Sequence, residues 1–406
     1  MAKDIIADYG ATPGTNCTTA FQNAVNDIRN GLVGRINIPV ANYLIGAINM
    51  AGVHGSVFQG EGPGSTLVVT GQDAAGNWWD LTGSNDNTFR DLSIVDDGTT
   101  KPKVLFPWLQ TNVSGPLGGL LFDNVNMRAR TNVAVVYAYG CGNVGQNDRG
   151  GSLSIRDCRL TQLGNADVFY WGNSSTPYLK NSVLQVTGRN SAGITSANAT
   201  VATGESRAWN VTLDNVHLID NPPGYGGTMS IDHNATMILE NVSQFTARGG
   251  SFQSMGDACV YLWSDCQGAH FDTNQWLTTD GAAGHANRWI VSGGGLNTFI
   301  RITAPFWSDP GQGFIDLLPG SSTIAGAWNW TIDVNDVAGS ATVPFISNIY
   351  GGGAWPPGNQ WLKNCSIETY QATTIVCPGS IDSHTVFKGP VSVSLPSGAS
   401  DASHHL

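Results

Sequence analysis

The segment Leu121–Met127 reads LFDNVNM, and its core is an apolar residue, a variable residue, Asn or Asp, and a second apolar residue. This order returns about every 30 residues, the period expected of solenoid repeats. Asn124 holds the polar position of this copy. Equivalent positions in the other copies are Asp91, Asp157, Asn181, Asn215, Asn241, Thr273, Arg301, Asp333 and Asn364. Because a coincidental turn would not recur so often, the pattern predicts a repeat protein.

A second apolar segment precedes most copies and is separated from them by a Gly or Asn turn, as in VAVVYAYG and ACVYLWSD. Ankyrin, tetratricopeptide and leucine-rich patterns are absent, and a propeller blade needs four strands. Stacked coils of a β-helix bury an apolar face that one coil cannot bury alone, and stacked Asn side chains form hydrogen-bonded ladders. The sequence therefore predicts an all-β fold, a right-handed parallel β-helix of about ten coils.

One amphipathic segment near the N-terminus predicts a helix over residues 18–29. Phe21, Val25 and Ile28 form its apolar stripe, and Thr18 or Thr19 is the expected N-cap. Such a helix can cover the exposed strand edge of the first coil.

Three parts follow from this organisation. We expect residues 1–70 to form the capping helix and first coils, residues 71–370 the β-helix body, and residues 371–406 the last strands and a C-terminal tail. His404 and His405 are expected to belong to a disordered tail rather than to a metal site.

Charge and composition exclude several classes of protein. The chain has 19 Lys and Arg against 30 Asp and Glu, a net charge of −11, which opposes binding to nucleic acid. No apolar run approaches the roughly 18 residues that span a bilayer, and the first residues lack the apolar core of a signal peptide. The seven cysteines show no paired spacing, so we expect buried free thiols and neither a metal site nor a cofactor.

The N-terminal region resembles the opening of pectate-lyase-like β-helix proteins, and most of all that of bacteriophage tailspikes and capsule depolymerases. The resemblance covers residues 4–69. Its motifs are Asp8–Ala11, Pro13–Gly14, Asn16, Thr18–Phe21, Ile36–Pro39, Tyr43–Ile45 and Gly60–Thr66. It implies the β-helix fold, a homotrimer, and a location on the virion or outside the cell. The superfamily includes hydrolases, lyases, epimerases and binders, and the epimerase and pectate-lyase signatures are not evident, so the resemblance assigns no catalytic residue.

Aromatic side chains in the strand before each polar position predict a sugar-binding groove. If Val136, Ala138, Val260 and Leu262 point inward, the alternating residues point outward. We expect the substrate to contact Tyr139, Trp171, Arg207, Tyr261 and Trp263, with Tyr137 on the same face. Alternatively, these rings fill the core or a trimer interface, because a register error of one residue would turn the whole column inward.

Cleavage of a glycosidic bond normally requires two carboxyl groups. Of the four glutamates, Glu61 and Glu240 lie at scaffold positions, whereas Glu205 lies in a loop beside Arg207. The predicted acid and base residues are Glu205, Asp232 and Asp265. The alternative for the two aspartates is that they end strands and bind turn amides.

A lyase would instead need a base and a cation that neutralises a uronate carboxylate. His233 is the predicted base, and Arg189, Arg207 or Arg248 could neutralise the carboxylate; Asp148 and Arg149 form a similar pair.

The leading hypothesis is a depolymerase, hydrolase or lyase, that acts on a bacterial surface polysaccharide. A glycan-binding spike without activity and a structural virion spike are the alternatives.

Overall fold

The structure is a computed structural model of the chain. It describes residues 1–109, 119–139, 152–164, 166–172, 177–186, 194–196, 208–220, 235–239, 242–254, 258–262, 266–278, 288–292, 295–296, 298–302, 315–317, 327–334, 346–347, 360–370, 372–377 and 379–406. The chain divides into two compact units, Met1–Thr212 and Leu213–Leu406.

The first unit contains the helix α1 (Thr18–Arg29) and short strands that pair in parallel. Its strands are β1 (Ala2–Asp4), β2 (Arg35–Ile38), β3 (Ala41–Ile45), β4 (Ile48–Asn49), β5 (Val57–Gly60), β6 (Ser65–Val69), β7 (Trp79–Asp80), β8 (Asn87–Asp96), β9 (Val104–Leu109), β10 (Leu120–Ala129), β11 (Ala134–Tyr139), β12 (Leu153–Arg156), β13 (Arg159–Gln162), β14 (Asp167–Gly172), β15 (Tyr178–Lys180), β16 (Val183–Val186) and β17 (Ile194–Ser196). The strand β18 (Ala208–Asp214) contains the point at which the units divide.

The second unit consists of further coils of parallel strands. They are β19 (His217–Asp220), β20 (Ala235–Leu239), β21 (Val242–Arg248), β22 (Ser251–Ser254), β23 (Ala258–Leu262), β24 (Cys266–Gln267), β25 (His270–Thr273), β26 (Gln275–Thr278), β27 (Arg288–Ser292), β28 (Gly295–Leu296), β29 (Phe299–Ile302), β30 (Ile315–Leu317), β31 (Ala327–Trp328), β32 (Thr331–Val334), β33 (Ile346–Ser347), β34 (Gln360–Lys363), β35 (Ser366–Thr369), β36 (Thr373–Val376), β37 (Ser380–Ile381), β38 (Val386–Lys388), β39 (Val391–Ser394) and β40 (His404–His405). The parallel β-helix predicted from the repeats is confirmed.

The polar positions of the repeat form the corners of the coils. Asp91, Asn124, Asp157, Asn181, Asn215 and Asn364 all have positive φ, from 47° to 54°. Asn and Asp tolerate this left-handed conformation better than other residues that carry a Cβ. The predicted ladder also forms: Asn124 Nδ2 donates to Asp91 Oδ1 at 2.7 Å, and Asn181 Nδ2 donates to Asp157 Oδ1 at 3.2 Å.

The prediction is wrong at three polar positions of the second unit. Thr273, Arg301 and Asp333 lie within strands rather than at corners. The corner before Asp333 is Asn329, whose φ is 57° and whose Oδ1 accepts a hydrogen bond from Asn364 Nδ2 at 2.8 Å. Asn241 lies outside the described residues.

The residue after a corner points inward and connects neighbouring coils. Cys158 Sγ accepts a hydrogen bond from the N–H of Val125 at 3.4 Å, and Ser182 Oγ accepts one from the N–H of Cys158 at 3.2 Å. In the second unit, Thr385 Oγ1 accepts a hydrogen bond from the N–H of Cys365 at 3.2 Å. Small polarisable or hydroxyl side chains thus satisfy backbone donors that the turn leaves without a strand partner.

Inward-facing residues stack in register along the coils. Phe58, Phe89 and Phe122 occupy equivalent positions on three successive coils and are fully buried. Their rings stack with centroids 5.2 and 5.5 Å apart. Each such pair contributes roughly 0.5–1.5 kcal/mol beyond the burial of apolar area.

The helix α1 has the bounds that the sequence predicts and packs on the first coils. Phe21 contacts Tyr43 edge-on at 5.9 Å, and Val25 and Ile28 are buried. The predicted caps are wrong, because the N-cap is Cys17. The residue before Cys17 makes the hydrogen bond at this end of the helix, because Asn16 Oδ1 accepts a hydrogen bond from the N–H of Thr18 at 3.0 Å. Thr18 Oγ1 accepts a hydrogen bond from the N–H of Gly46 at 2.6 Å and does not cap the helix.

The predicted disordered tail is also wrong. His404 and His405 form β40, which pairs in parallel with Val386 and Phe387. The His405 ring lies over Phe387 at 5.1 Å, and its Nε2 is 3.6 Å from Asp401 Oδ2. The tail is therefore ordered because it adds one more rung to the sheet.

In the part of the chain that the structure describes, no helix has the length and apolarity needed to cross a membrane.

The corner ladder predicts a stability difference between two substitutions of Asn124. Asn124→Ala should lower the free energy of unfolding by about 1–3 kcal/mol, because Ala disfavours positive φ and the bond to Asp91 is lost. Asn124→Gly should lower it by less, since Gly accepts the conformation and only the hydrogen bond is removed. Urea denaturation of both variants measures the difference, and equal losses would contradict the conformational explanation.

Candidate functional site

Most of the side chains that the sequence predicts for the site lie outside the described residues. They belong to Asp148, Arg149, Arg189, Glu205, Arg207, Asp232, His233, Trp263 and Asp265. The side chain of Tyr139 also lies outside the description, although its backbone is part of β11. Their roles in catalysis or substrate binding therefore stay predictions.

The two described aromatic candidates are buried. Trp171 is 0% exposed and pairs with Ala138, which the sequence correctly predicts to point inward. The sequence alignment placed Trp171 among the outward-facing residues, so the expected exposure of Trp171 is wrong. The error is a shift of one residue in the register between the two strands. Tyr261 is 4% exposed although Val260 and Leu262 point inward as predicted, because every residue of β23 is buried. Its expected exposure is wrong as well.

The outward partner of Tyr137 is Tyr170. These residues pair across β11 and β14, and both are partly exposed. Their rings are stacked, with centroids 4.7 Å apart and planes inclined by only 2°. The outer face of the first unit thus carries one stacked aromatic pair, in which Tyr170 rather than Trp171 is the neighbour of Tyr137.

In the second unit, a row of ionisable side chains follows the outer face of the sheet. Each member pairs in register with the member on the next coil. From one coil to the next, this charged column consists of Arg248, Asp272, Arg301, Asp333, Glu368 and Lys388. Opposite charges alternate along most of its length, and the exception is the direct neighbour pair Asp333 and Glu368.

Each carboxylate of that pair has a cationic neighbour on its other side. Arg301 Nε lies 3.2 Å from Asp333 Oδ2, and Lys388 Nζ lies 3.5 Å from Glu368 Oε2. Tyr370 donates a hydrogen bond from its hydroxyl to Glu368 Oε1 at 3.0 Å. This bond raises the pKa of Tyr370, which remains a neutral donor at physiological pH. Both carboxylates keep part of their surface exposed, 28% for Asp333 and 35% for Glu368.

Aromatic rings lie beside the charged column. His270 and Phe299 stack on successive coils with centroids 4.4 Å apart, and the Arg301 guanidinium lies 5.3 Å from the Phe299 centroid. Burial lowers the pKa of His270, so its ring is mostly neutral near pH 7. Tyr370 is 55% exposed. Aromatic faces and a polar rim are what a sugar polymer requires.

Stability alone does not account for the carboxylate pair. Exposed salt bridges contribute about 0–1 kcal/mol, and like charges directly opposite each other in a sheet are destabilising. Asp333 and Glu368 occupy adjacent rungs, which lie roughly 4.8 Å apart. Two neighbouring carboxyl groups are what cleavage of a glycosidic bond normally requires.

The described thiols do not offer a nucleophile. Burial raises the pKa of Cys158 to about 12 and that of Cys365 to about 11, so both stay protonated. Six cysteines are free and buried, as predicted, and Cys141 lies outside the described residues. Within the described ranges, no three metal-ligating side chains come together.

Sequence reasoning missed the pair because it assigned Asp333 to a corner and left Glu368 without a role. A signal was present in the sequence. Every member of the charged column directly follows a buried Ala, Phe or Ile, as in Ile332-Asp333 and Ile367-Glu368. Aligning these dipeptides, rather than the polar corner positions, would have placed both carboxylates in one outward row.

Comparison with solved structures identifies proteins of the same fold. The chain superimposes on the catalytic unit of a GH87 α-1,3-glucanase from Streptomyces thermodiastaticus with a TM-score of 0.56 and 12% identity, covering 100% of this chain and 68% of the glucanase chain. It superimposes on the enzymatically active domain of bacteriophage CBA120 tailspike protein 2 with a TM-score of 0.55 and 12% identity. That match covers 88% of this chain and 53% of the tailspike chain, so this protein spans about half of that domain.

At this identity the likeness shows the fold alone, and it confirms the right-handed parallel β-helix. No protein-family model matches the sequence, and no curated protein matches it.

The buried position of Trp171 predicts a core role. Trp171→Ala should lower the free energy of unfolding by about 3–5 kcal/mol, because a large fully buried ring leaves a cavity. Tyr137→Ala, on the partly exposed outer face of the neighbouring strand, is the matched control and should cost clearly less. Thermal and urea unfolding of both variants test this difference; a stable Trp171→Ala variant would restore Trp171 to the outer surface.

Proposed function

We propose that this protein is a polysaccharide depolymerase in which Asp333 and Glu368 cleave a glycosidic bond of a bacterial surface glycan. The observation that carries the proposal is the placement of the two carboxylates on adjacent rungs, with a cation beside each. The glucanase and the tailspike enzymatic domain of the same fold, at low identity, support a glycan-cleaving enzyme.

The two carboxyl groups would divide the roles that cleavage needs: one protonates the leaving oxygen, and the other acts on the sugar carbon or activates water. Arg301 holds Asp333 in place, and Lys388 and the Tyr370 hydroxyl hold Glu368 on the neighbouring rung.

The neighbouring rings would hold the substrate across this pair. His270, Phe299 and the exposed Tyr370 offer aromatic surface, and Thr331 and Ser366 on the same outward row offer hydroxyl groups. Sugar rings that stack on this row would present their glycosidic oxygens to the charged column, which lies two residues further along each strand.

The carboxylates predicted from the sequence remain alternatives for the same reaction. Glu205, Asp232 and Asp265, together with His233 as the base of a lyase, lie outside the described residues. The homotrimer and the virion location implied by the resemblance likewise stay predictions. A protein that binds glycan but releases no fragments would be the adhesin alternative.

The carboxylate proposal predicts the rates of a set of isosteric variants. Asp333→Asn and Glu368→Gln should each reduce fragment release at least about 100-fold while glycan binding persists, since proton transfer is removed. The measurement is mass spectrometry of fragments from purified bacterial capsular and exopolysaccharides. Products that carry one added water identify a hydrolase, and unsaturated products identify a lyase.

Two sets of controls make this test specific. Asp272→Asn removes a carboxylate from the same column that has no carboxylate neighbour, and its rate should stay near that of the unmodified protein. Glu205→Gln and Asp232→Asn are measured in parallel. Full activity of Asp333→Asn and Glu368→Gln, with loss in the latter two, would transfer catalysis to the residues predicted from the sequence.

A further inference from the structure

An outward row of the second unit brings a histidine, a serine and a glutamine together outside the charged column. His217, Ser251 and Gln275 lie on three successive strands, β19, β22 and β26, and pair in register. All three are partly exposed. A corner separates them from the charged column, because Arg248 precedes the corner and Ser251 follows it. We call these three residues the serine row.

Ser251 and His217 form a hydrogen bond between their side chains. Ser251 Oγ lies 2.8 Å from His217 Nδ1. When the imidazole carries its proton on Nε2, Nδ1 is the acceptor and the serine hydroxyl donates. Among the described residues, the Ser251 hydroxyl has no hydrogen-bond partner other than His217. A hydroxyl within hydrogen-bond reach of a base is the arrangement that activates a serine nucleophile.

The corner before Ser251 lets its coil approach the preceding coil closely. Gly249 and Gly250 both have positive φ, 62° and 66°. A Cβ on Gly250 would lie 2.0 Å from the carbonyl oxygen of Val216, and the N–H of Ser251 donates to that oxygen at 3.2 Å. Two consecutive glycines therefore allow Ser251 to lie directly against the coil that carries His217.

Gln275 supplies an amide on the other side of the serine. It pairs with Ser251 on the next rung, roughly 4.8 Å away. Its side-chain amide forms no hydrogen bond within the described ranges. Asn and Gln side chains are among the donors that stabilise the oxyanion of acyl transfer. A base, a nucleophile and an amide donor thus occupy three consecutive rungs.

A hydroxyl ladder alone does not require a histidine. Thr374 and Ser392 also pair in register, and their hydroxyl oxygens lie 3.0 Å apart. That pair forms a hydrogen bond between coils without any base. The serine row differs from it in having an imidazole that can accept the hydroxyl proton.

We propose that the serine row hydrolyses O-acyl esters at a site separate from the carboxylate pair. Ser251 Oγ would attack the acyl carbon while His217 Nδ1 takes the hydroxyl proton, and the Gln275 amide would stabilise the carbonyl oxygen as it becomes negative. The C–O bond to the alcohol then breaks, and the alcohol leaves with the proton from His217. Water adds to the acyl-serine with the same proton exchange, so Ser251 regains its proton and a carboxylic acid is released.

The ester would be an acyl group on a sugar hydroxyl, such as an O-acetyl group. This choice of alcohol rests on the proposed function, since a polysaccharide can carry such groups beside its glycosidic bonds. The ester chemistry itself depends on the serine row alone.

The test uses the full chain with 4-nitrophenyl acetate as the ester and a fluorophosphonate as the serine probe. The unmodified protein should hydrolyse the ester with turnover, and peptide mapping should find the probe on Ser251. Ser251→Ala, His217→Gln and Gln275→Ala should each lower kcat/KM at least about 100-fold. Ser392→Ala is the matched control and should keep the unmodified rate, because the Ser392 hydroxyl bonds to Thr374 rather than to an imidazole. Circular dichroism and thermal melting establish that the variants are folded.

Absence of the probe from Ser251 in the unmodified protein overturns the inference, and so does an unchanged rate in Ser251→Ala or His217→Gln. An unchanged rate in Gln275→Ala overturns the role of that amide. Glucose pentaacetate tests the alcohol: acetate release that Ser251→Ala abolishes supports a sugar ester, and hydrolysis of 4-nitrophenyl acetate alone overturns that assignment.

The probe ester also separates this inference from the proposed function. 4-Nitrophenyl acetate contains no glycosidic bond, so its hydrolysis does not depend on whether Asp333 and Glu368 cleave a glycan. Ester hydrolysis that requires Ser251 supports the inference even where no glycan fragments are released. Fragment release without any ester hydrolysis overturns the inference and leaves the carboxylate proposal standing.

Discussion

The left-handed corner is the constraint on which the rest of the structure depends. Nine described residues other than Gly have φ between 47° and 61°. Where such a corner recurs on successive coils, as at Asp91, Asn124, Asp157 and Asn181, it keeps the strands in register, and Phe89 stacks between Phe58 and Phe122. The coils approach so closely at a corner that a Cβ on Gly60 would lie 2.0 Å from the Asp91 carbonyl oxygen.

The same register determines the chemistry of the outer face. Asp333 and Glu368 are 35 residues apart in sequence and become neighbours because Asn329 and Asn364 occupy equivalent corners. Their proximity therefore needs no dedicated loop. The sign of the charge alternates along the rest of the charged column, but two carboxylates are neighbours at this point. This arrangement lowers the local stability, and such a local cost is typical of a functional site.

Features set by local physical chemistry could be predicted from the sequence. Corner residues such as Asn124 combine an unusual backbone conformation with a ladder hydrogen bond, and the helix α1 has an apolar stripe, so both leave clear patterns. The register between coils left no comparable pattern: Trp171 and Tyr170 are adjacent aromatic residues, and only the pairing with β11 decides which one points inward. Asp333 was misplaced because the repeat pattern fits both Asp333 and the true corner, Asn329, four residues earlier.

Disulfide formation between substituted residues of the charged column tests the register most directly. Paired residues on adjacent rungs have Cα atoms roughly 4.8 Å apart, which a disulfide can span, whereas residues two rungs apart are separated by roughly 10 Å and cannot be joined. Under mild oxidation, Asp333→Cys/Glu368→Cys should form an intramolecular disulfide that mass spectrometry detects, and Arg301→Cys/Glu368→Cys should remain reduced. A disulfide in the second variant, or none in the first, would contradict the register and with it the carboxylate pair.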